Sequence, residues 1–153
     1  MVQFFLAHSS RYACELSRTG KSSKVEGIRT MEKRVIIILG HGSKNAASVK
    51  EQETLIEMIS THMPGYAIEN AYLQFCQPNI DHVVETLVNE DVSSIVIVPL
   101  LLFAGIHVQR EIPEMVERFR NQYPHVTFTL TDHLGADMHI VNLVLQRIAS
   151  VEL

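Results

Sequence analysis

The chain has 153 residues, enough for one domain with a real core, and its 46% apolar and 20% charged content is ordinary for a globular protein. A formal net charge of −4 removes the global basic character expected of a nucleic-acid binder or of a protein drawn to an anionic membrane surface. The two cysteines, Cys14 and Cys76, show no CxxC spacing, which excludes a disulfide framework and a thiolate zinc site and fits a reducing cytoplasm.

Residues 1–30 differ in character from the rest of the chain. Five basic residues (Arg11, Arg18, Lys21, Lys24, Arg29) stand against Glu15 and Glu26, serines are scattered between, and no apolar periodicity runs through the second half. The segment reads as a disordered extension or a mis-annotated start, with Met31 opening the domain proper over residues 31–153; a transit segment is the alternative. On this view His8 and Cys14 are not metal candidates.

Val35 to Leu39 is a continuous, mostly β-branched apolar run, the pattern of a strand covered on both faces. Gly40 to Asn45 turns, and a helix is predicted from Ala46 to Ser60 with Val49, Leu55, Ile56 and Ile59 on one face. A second strand is predicted over Ala67 to Phe75. Pro78 and Asn79 open a helix through Asn89 that buries Ile80, Val83, Val84 and Leu87. Ser94 to Phe103 is the third strand, and Pro99 within it predicts a bend or an edge. Its apolar stretch, to Ile106, is too short to span a bilayer. A helix over Ile112 to Gln122, a strand over Val126 to Thr131 and a helix over Asp137 to Ala149 complete the chain.

Strands alternating with helices through short loops imply a single three-layer α/β domain with a mostly parallel four-stranded sheet and right-handed crossovers. Ligands of such sheets bind beyond the carboxyl ends of the strands. That rule selects Gly40 to Ser43, Gln74 to Gln77, Ala104 to Gln109 and Asp132 to Asp137. His41 follows the first strand and His107 the third, each in a glycine-containing loop where backbone can approach a ligand closely. Two imidazoles converging there suit a borderline divalent metal such as Co²⁺, Ni²⁺ or Fe²⁺, and can also accept protons near neutrality. A single loop histidine would more often be structural; two at equivalent strand exits shift the balance.

The run Leu39-Gly40-His41-Gly42-Ser43, the strand Ile95 to Leu102, Gly105-Ile106-His107 leading into Glu111-Ile112-Pro113-Glu114, the segment Leu73 to Ile80 and Leu134-Gly135-Ala136-Asp137 together resemble the short CbiX/SirB sirohydrochlorin chelatases. The similarity spans Val35 to Ile148 with every motif in order. It implies a domain equivalent to half of a class II chelatase, and a lyase that inserts cobalt, nickel or iron into sirohydrochlorin on the routes to cobalamin, sirohaem or a nickel tetrapyrrole. Cobalt is taken as the metal because short members most often use it. The resemblance further implies that His41 and His107 are catalytic and bind the metal, that Gly42, Ser43, Gly105, Ile106 and more weakly Arg110 meet substrate, that the chain works as a homodimer, and that no cofactor beyond the metal substrate is needed. No ATP is expected, in keeping with the absence of a P-loop sequence, and neither nucleic acid nor membrane is an expected partner.

The sequence departs from the family at Gln74, where a glutamate usually contributes to metal binding. Glutamine keeps a carbonyl oxygen but loses the charge and cannot take a proton, so it is a weak metal ligand. Cys76, two residues on, would share its face in a strand; a structural cysteine is the plainer reading. Glu111 stands where the family commonly has aspartate and reads as an acid at the positive end of a helix. Arg110 and Lys44 can pair with substrate carboxylates or simply be solvated. His62, His82, His125 and His139 take plain structural readings, while His133, after the fourth strand, lies on the functional side.

Three alternatives stand beside the chelatase. The histidine-dependent phosphatases need an arginine where Gly40 stands. A serine hydrolase needs glycines where His41 and Asn45 flank Ser43. A non-catalytic tetrapyrrole or metal carrier would keep the fold while Gln74 weakens the chemistry.

Overall fold

The computed structural model describes residues 33–151, so the readings made for residues 1–30, His8 and Cys14 among them, lie outside the described residues. The elements are β1 (Arg34–Gly40), α1 (Ala46–His62), β2 (Ala67–Tyr72), α2 (Ile80–Asn89), β3 (Ser94–Pro99), a π-helical turn (His107–Glu111) running into α3 (Ile112–Gln122), β4 (Thr127–Leu130) and α4 (Met138–Ala149). The strands form one parallel sheet in the order β2-β1-β3-β4.

A run with no polar side chain to turn toward water needs cover on both faces, and β1 sits at the centre of the sheet to get it. Its alternate residues divide between two cores. Val35, Ile37 and Leu39 pack with Ile95, Ile97, Phe128 and the apolar faces of α2 and α3, represented by Val84, Leu87, Val116 and Phe119. Ile36 and Ile38 face the other way, toward Ile56 of α1, with Ile59, Met63, Val96 and Val98 around them. Each fully buried aliphatic side chain contributes about 1.5–3 kcal/mol. The α2–α3 side is therefore the main energetic core, and α1 covers the second face.

Capping residues set the helix starts. Asn45, Asn79 and Asp137 each accept a hydrogen bond from a backbone amide two or three residues on. Bonds from the amide and ring of His139 hold the Asp137 carboxyl below its usual range. On α1 the buried stripe runs through half-buried Val49, Gln52 and Ile59 around buried Ile56. Leu55 is exposed, contrary to the expected face, because Gln52 takes that stripe and donates to Asn70 Oδ1 at 2.7 Å.

Two strands are shorter than their apolar runs. β2 stops at Tyr72 rather than Phe75, because Phe75 adopts φ +67°, which no strand accommodates. β3 stops at Pro99 rather than Phe103. The proline neither bends an ongoing strand nor marks an edge: β3 is interior, and Pro99 is its last residue, one step before Leu100 N donates to Leu39 O at 2.8 Å.

The last helix differs from the others. None of its residues is buried, and Val141, Leu143, Val144, Leu145 and Ile148 are 44–56% exposed. On the α1 side of the sheet Val96 and Val98 are only half-covered.

Candidate functional site

The chain leaves β1 toward β2 on one side and leaves β3 toward β4 on the other. The loops after the two central strands therefore diverge, and a crevice opens between them at the carboxyl edge of the sheet. His41 and His107 occupy those two loops.

His41 directly follows the last residue of β1. Its ring stays at the strand end because Gly42, at φ +91°, reverses the chain. A Cβ on Gly42 would lie 1.9 Å from the Gln74 carbonyl oxygen, so only glycine allows the β1 and β2 loops to touch. Beyond it, Ser43 Oγ accepts from the Asn45 amide at 3.0 Å and shapes the approach to α1.

His107 opens the π-helical turn, in which the Ile112 amide donates to the His107 carbonyl. Pro113 explains the widening: it has no N–H, and its ring crowds the carbonyl four residues back. The turn brings Glu111 Oε2 to 2.7 Å from His107 Nδ1. Glu111 is thus a carboxylate that holds a site histidine, beyond the helix-dipole role its position suggested. The His-x-x-x-Glu spacing was the available signal.

His41 Nε2 and His107 Nε2 lie 3.2 Å apart, with ring centroids separated by 4.9 Å. His41 Nδ1 lies 3.1 Å from the Gly42 carbonyl oxygen. Because the Gly42 carbonyl and the Glu111 carboxylate can only accept, both Nδ1 atoms are assigned as donors. Both Nε2 atoms then turn a lone pair toward each other. Two lone pairs in this arrangement repel, and a divalent ion held by both Nε2 atoms would relieve the repulsion. With M–N bonds of about 2.1 Å, the 3.2 Å separation corresponds to an N–M–N angle of about 100°, suited to two cis ligands of one tetrahedral or octahedral ion.

Among the described residues no group of three or more His, Cys, Asp or Glu side chains is placed to hold an ion. A metal on the histidine pair therefore keeps several coordination positions for water or for a ligand.

The β2 loop walls the crevice. Its backbone is tied to the β1 loop by bonds from Leu73 N to Gly40 O at 2.9 Å and from Gln74 N to His41 O at 3.0 Å. Gln74 itself is exposed. Cys76 does not follow strand alternation, because residues 74–76 form a turn; its Sγ lies 3.7 Å from Gln74 O. Phe75 projects from this turn, its ring centroid 5.7 Å from that of His41. Gly42, Ser43, Lys44 and Phe75 line a cleft of about 300 Å³. A larger depression of about 760 Å³ runs along α3, but it is shallow and open, and none of its lining residues lies in a loop at the carboxyl end of a strand.

Beneath the loops, Gln52, Asn70 and Tyr72 form a hydrogen-bonded chain, with Asn70 Nδ2 donating to the Tyr72 hydroxyl at 2.8 Å. Burial raises the Tyr72 phenol above its ordinary range, so it is a neutral floor to the site. Sequence reasoning missed both this floor and Phe75.

The remaining candidates are dispersed. Gly105 faces open space, and Ile106 beside it is exposed, as is Phe103. Arg110 Nε lies 3.6 Å from Glu114 Oε1 in an exposed pair, a weak tie that leaves the guanidinium available. Half-buried His133 sits beside Gly135 in the loop after β4, which is joined to the β3 exit through Leu134 N and Leu101 O. His62 bonds to Met58 O, and His139 to Asp137.

Comparison with known proteins gives the same frame. The chain is 29% identical over 119 residues to the sirohydrochlorin ferrochelatase of Bacillus subtilis, covering 78% of this chain and 46% of that protein. It is 27% identical over 118 residues to the sirohydrochlorin cobaltochelatase of Sulfurisphaera tokodaii, covering 76% of this chain and 92% of that one. The crystal structure of the sirohydrochlorin chelatase SirB from Bacillus subtilis subspecies spizizenii in complex with cobalt superposes with a TM-score of 0.72 at 28% identity, over 78% of this chain and 51% of that one. The chain thus spans about half the length of the Bacillus proteins and nearly all of the Sulfurisphaera one. The CbiX family model matches residues 35–151, the stretch that carries both histidines, the π-turn and all four strands, and the chain belongs to the CbiX family.

Proposed function

We propose that this protein inserts a divalent metal, Co²⁺, into sirohydrochlorin in cobalamin biosynthesis. The observation that carries this reading is the Nε2–Nε2 pair of His41 and His107, at a separation suited to two cis ligands. The naming of similar proteins as sirohydrochlorin chelatases supports the substrate. Cobalt is favoured because similar proteins of nearly matching length are named cobaltochelatases, while that name also belongs to a relative longer than the ferrochelatases.

The site's chemistry follows from its open coordination. His41 and His107 hold the metal through Nε2, and Glu111 fixes the His107 ring. Positions left to water face the crevice, where pyrrole nitrogens can replace them one by one. Insertion releases two N–H protons; as the metal leaves the histidines, their facing lone pairs take one, and solvent takes the other. Two protein ligands suit transfer better than four, since the ion must be released. Gln74 supplies a neutral oxygen at most, and lacks the charge of the usual acid.

The proposed protein is a homodimer. The apolar side chains left exposed along α4 support this reading, because they offer a second copy a surface to cover.

The test is an absorbance assay of insertion with Co²⁺, Ni²⁺ and Fe²⁺. Wild type should metallate fastest with Co²⁺, and His41→Ala and His107→Ala should each lower the rate roughly hundredfold or more. Gln74→Glu should tighten metal binding. Activity untouched by both alanine substitutions would sink the catalytic assignment. Binding of sirohydrochlorin without accelerated insertion would make the protein a carrier.

A further inference from the structure

Phe75 is the one side chain at the site whose placement is unfavourable twice over. Its backbone takes φ +67°, a region that suits glycine or asparagine, and the residue is 57% exposed. The conformation is held closed: Cys76 N donates to Gln74 O at 2.9 Å across Phe75, forming a three-residue γ-turn of the strained hand. The turn is itself pinned to His41 O through Gln74 N, and Gly42 makes the room for that contact. A surface turn with no further duty would be more stable with glycine at this position.

The neighbouring groups define what the ring can meet. It lies beside His41 and forms one wall of the cleft it shares with Gly42, Ser43 and Lys44. The Lys44 ammonium stands 5.7 Å from the ring centroid. A flat apolar face with a cation at its margin, next to a metal-transfer pair, matches a planar conjugated macrocycle that carries carboxylates around its edge.

We propose that Phe75 contacts the substrate, seating one face of the tetrapyrrole beside His41 while Lys44 meets a peripheral carboxylate. The proposal rests on sirohydrochlorin being the substrate. It assigns Phe75 to binding of the macrocycle and not to binding of the metal.

Titration of metal-free sirohydrochlorin into the full chain, followed by its absorption and fluorescence, tests this without any insertion step. Phe75→Ala should weaken binding roughly tenfold, the loss of one aromatic face, while Phe75→Tyr retains it. Phe75→Gly should weaken binding equally and raise Tm, because the turn loses its strain. Co²⁺ binding should be unchanged in all three. Wild-type affinity in Phe75→Ala and Phe75→Gly would overturn the proposal, and so would a lower Tm for Phe75→Gly, which would make the ring a structural prop. If wild type binds sirohydrochlorin but never metallates it, the chelatase reading fails while the role of Phe75 is still decided by the titrations. A wild-type chain that binds no sirohydrochlorin overturns both.

Discussion

His107 is held by Glu111 through its Nδ1, so the orientation of the Nε2 that faces His41 depends on a carboxylate on the far side of the ring. Glu111→Gln keeps an acceptor for that N–H but removes the negative charge beside the ring; Glu111→Ala removes both. The expected outcome is a fall of about tenfold in insertion rate or Co²⁺ affinity for glutamine and closer to a hundredfold for alanine, measured by the same absorbance assay and by metal titration. At this scale the histidines were legible because each lies in a glycine-containing loop at the exit of a central strand, His41 immediately after β1 and His107 further on after β3. Glu111 was not, because an acid at a helix start already has a sufficient explanation in the helix dipole, and a π-turn leaves no trace in apolar periodicity. Phe75 was hidden differently. It continues the apolar run of β2, and only the three-dimensional pinning of residues 74–76 shows that it leaves the strand.

Among the elements, the loops after β1 and β2 form one unit through Gly42. Gly42→Ala would have to accommodate both φ +91° and a Cβ 1.9 Å from the Gln74 carbonyl oxygen, a backbone atom that cannot swing aside. A loss of at least about 2 kcal/mol is expected in urea unfolding, with insertion activity falling as the loops separate. Gly105→Ala provides the control: its Cβ would meet nothing within 4 Å, and stability should stay within about 0.5 kcal/mol. The two glycines look similar in sequence, each within two residues of a site histidine, yet only one is sterically required. The order of strands and helices was readable because each apolar run is long and its helices carry clear caps at Asn45, Asn79 and Asp137. The ends of β2 and β3 were overrun by three and four residues, because apolar side chains continue past both strands into the crevice rim.

At the scale of the whole molecule, α4 sets the question of assembly. Its periodicity resembles that of α2, but α2 buries Val83, Val84 and Leu87 while α4 buries nothing within one copy. Pattern alone reports an apolar stripe and is silent on whether the same chain covers it. Val141, Val144 and Ile148 follow helical spacing and are 44%, 51% and 46% exposed. If a second copy covers this stripe, sedimentation should show a wild-type dimer and a monomeric Val141→Glu/Val144→Glu double variant. The monomer should keep its helical content, since substitutions at uncovered helix positions alter fold stability by only about 0.5 kcal/mol. A wild-type monomer, or a double variant that still dimerises, would remove α4 from the interface.

The π-helical turn between His107 and Glu111 carries one more residue per turn of hydrogen bonding than the regular helix it leads into. Removing one residue there, Gln109 for instance, would take out the extra residue of the turn, while Pro113 would still leave one carbonyl without an amide partner. It would also rotate everything upstream by about 100°, the angular step of one helical residue, and carry the His107 imidazole off the axis it shares with His41. Both flanking motifs would survive such a change letter for letter. A sequence can therefore carry every recognisable word of this site and still be unable to assemble it, because the count of residues between the words is itself part of the message.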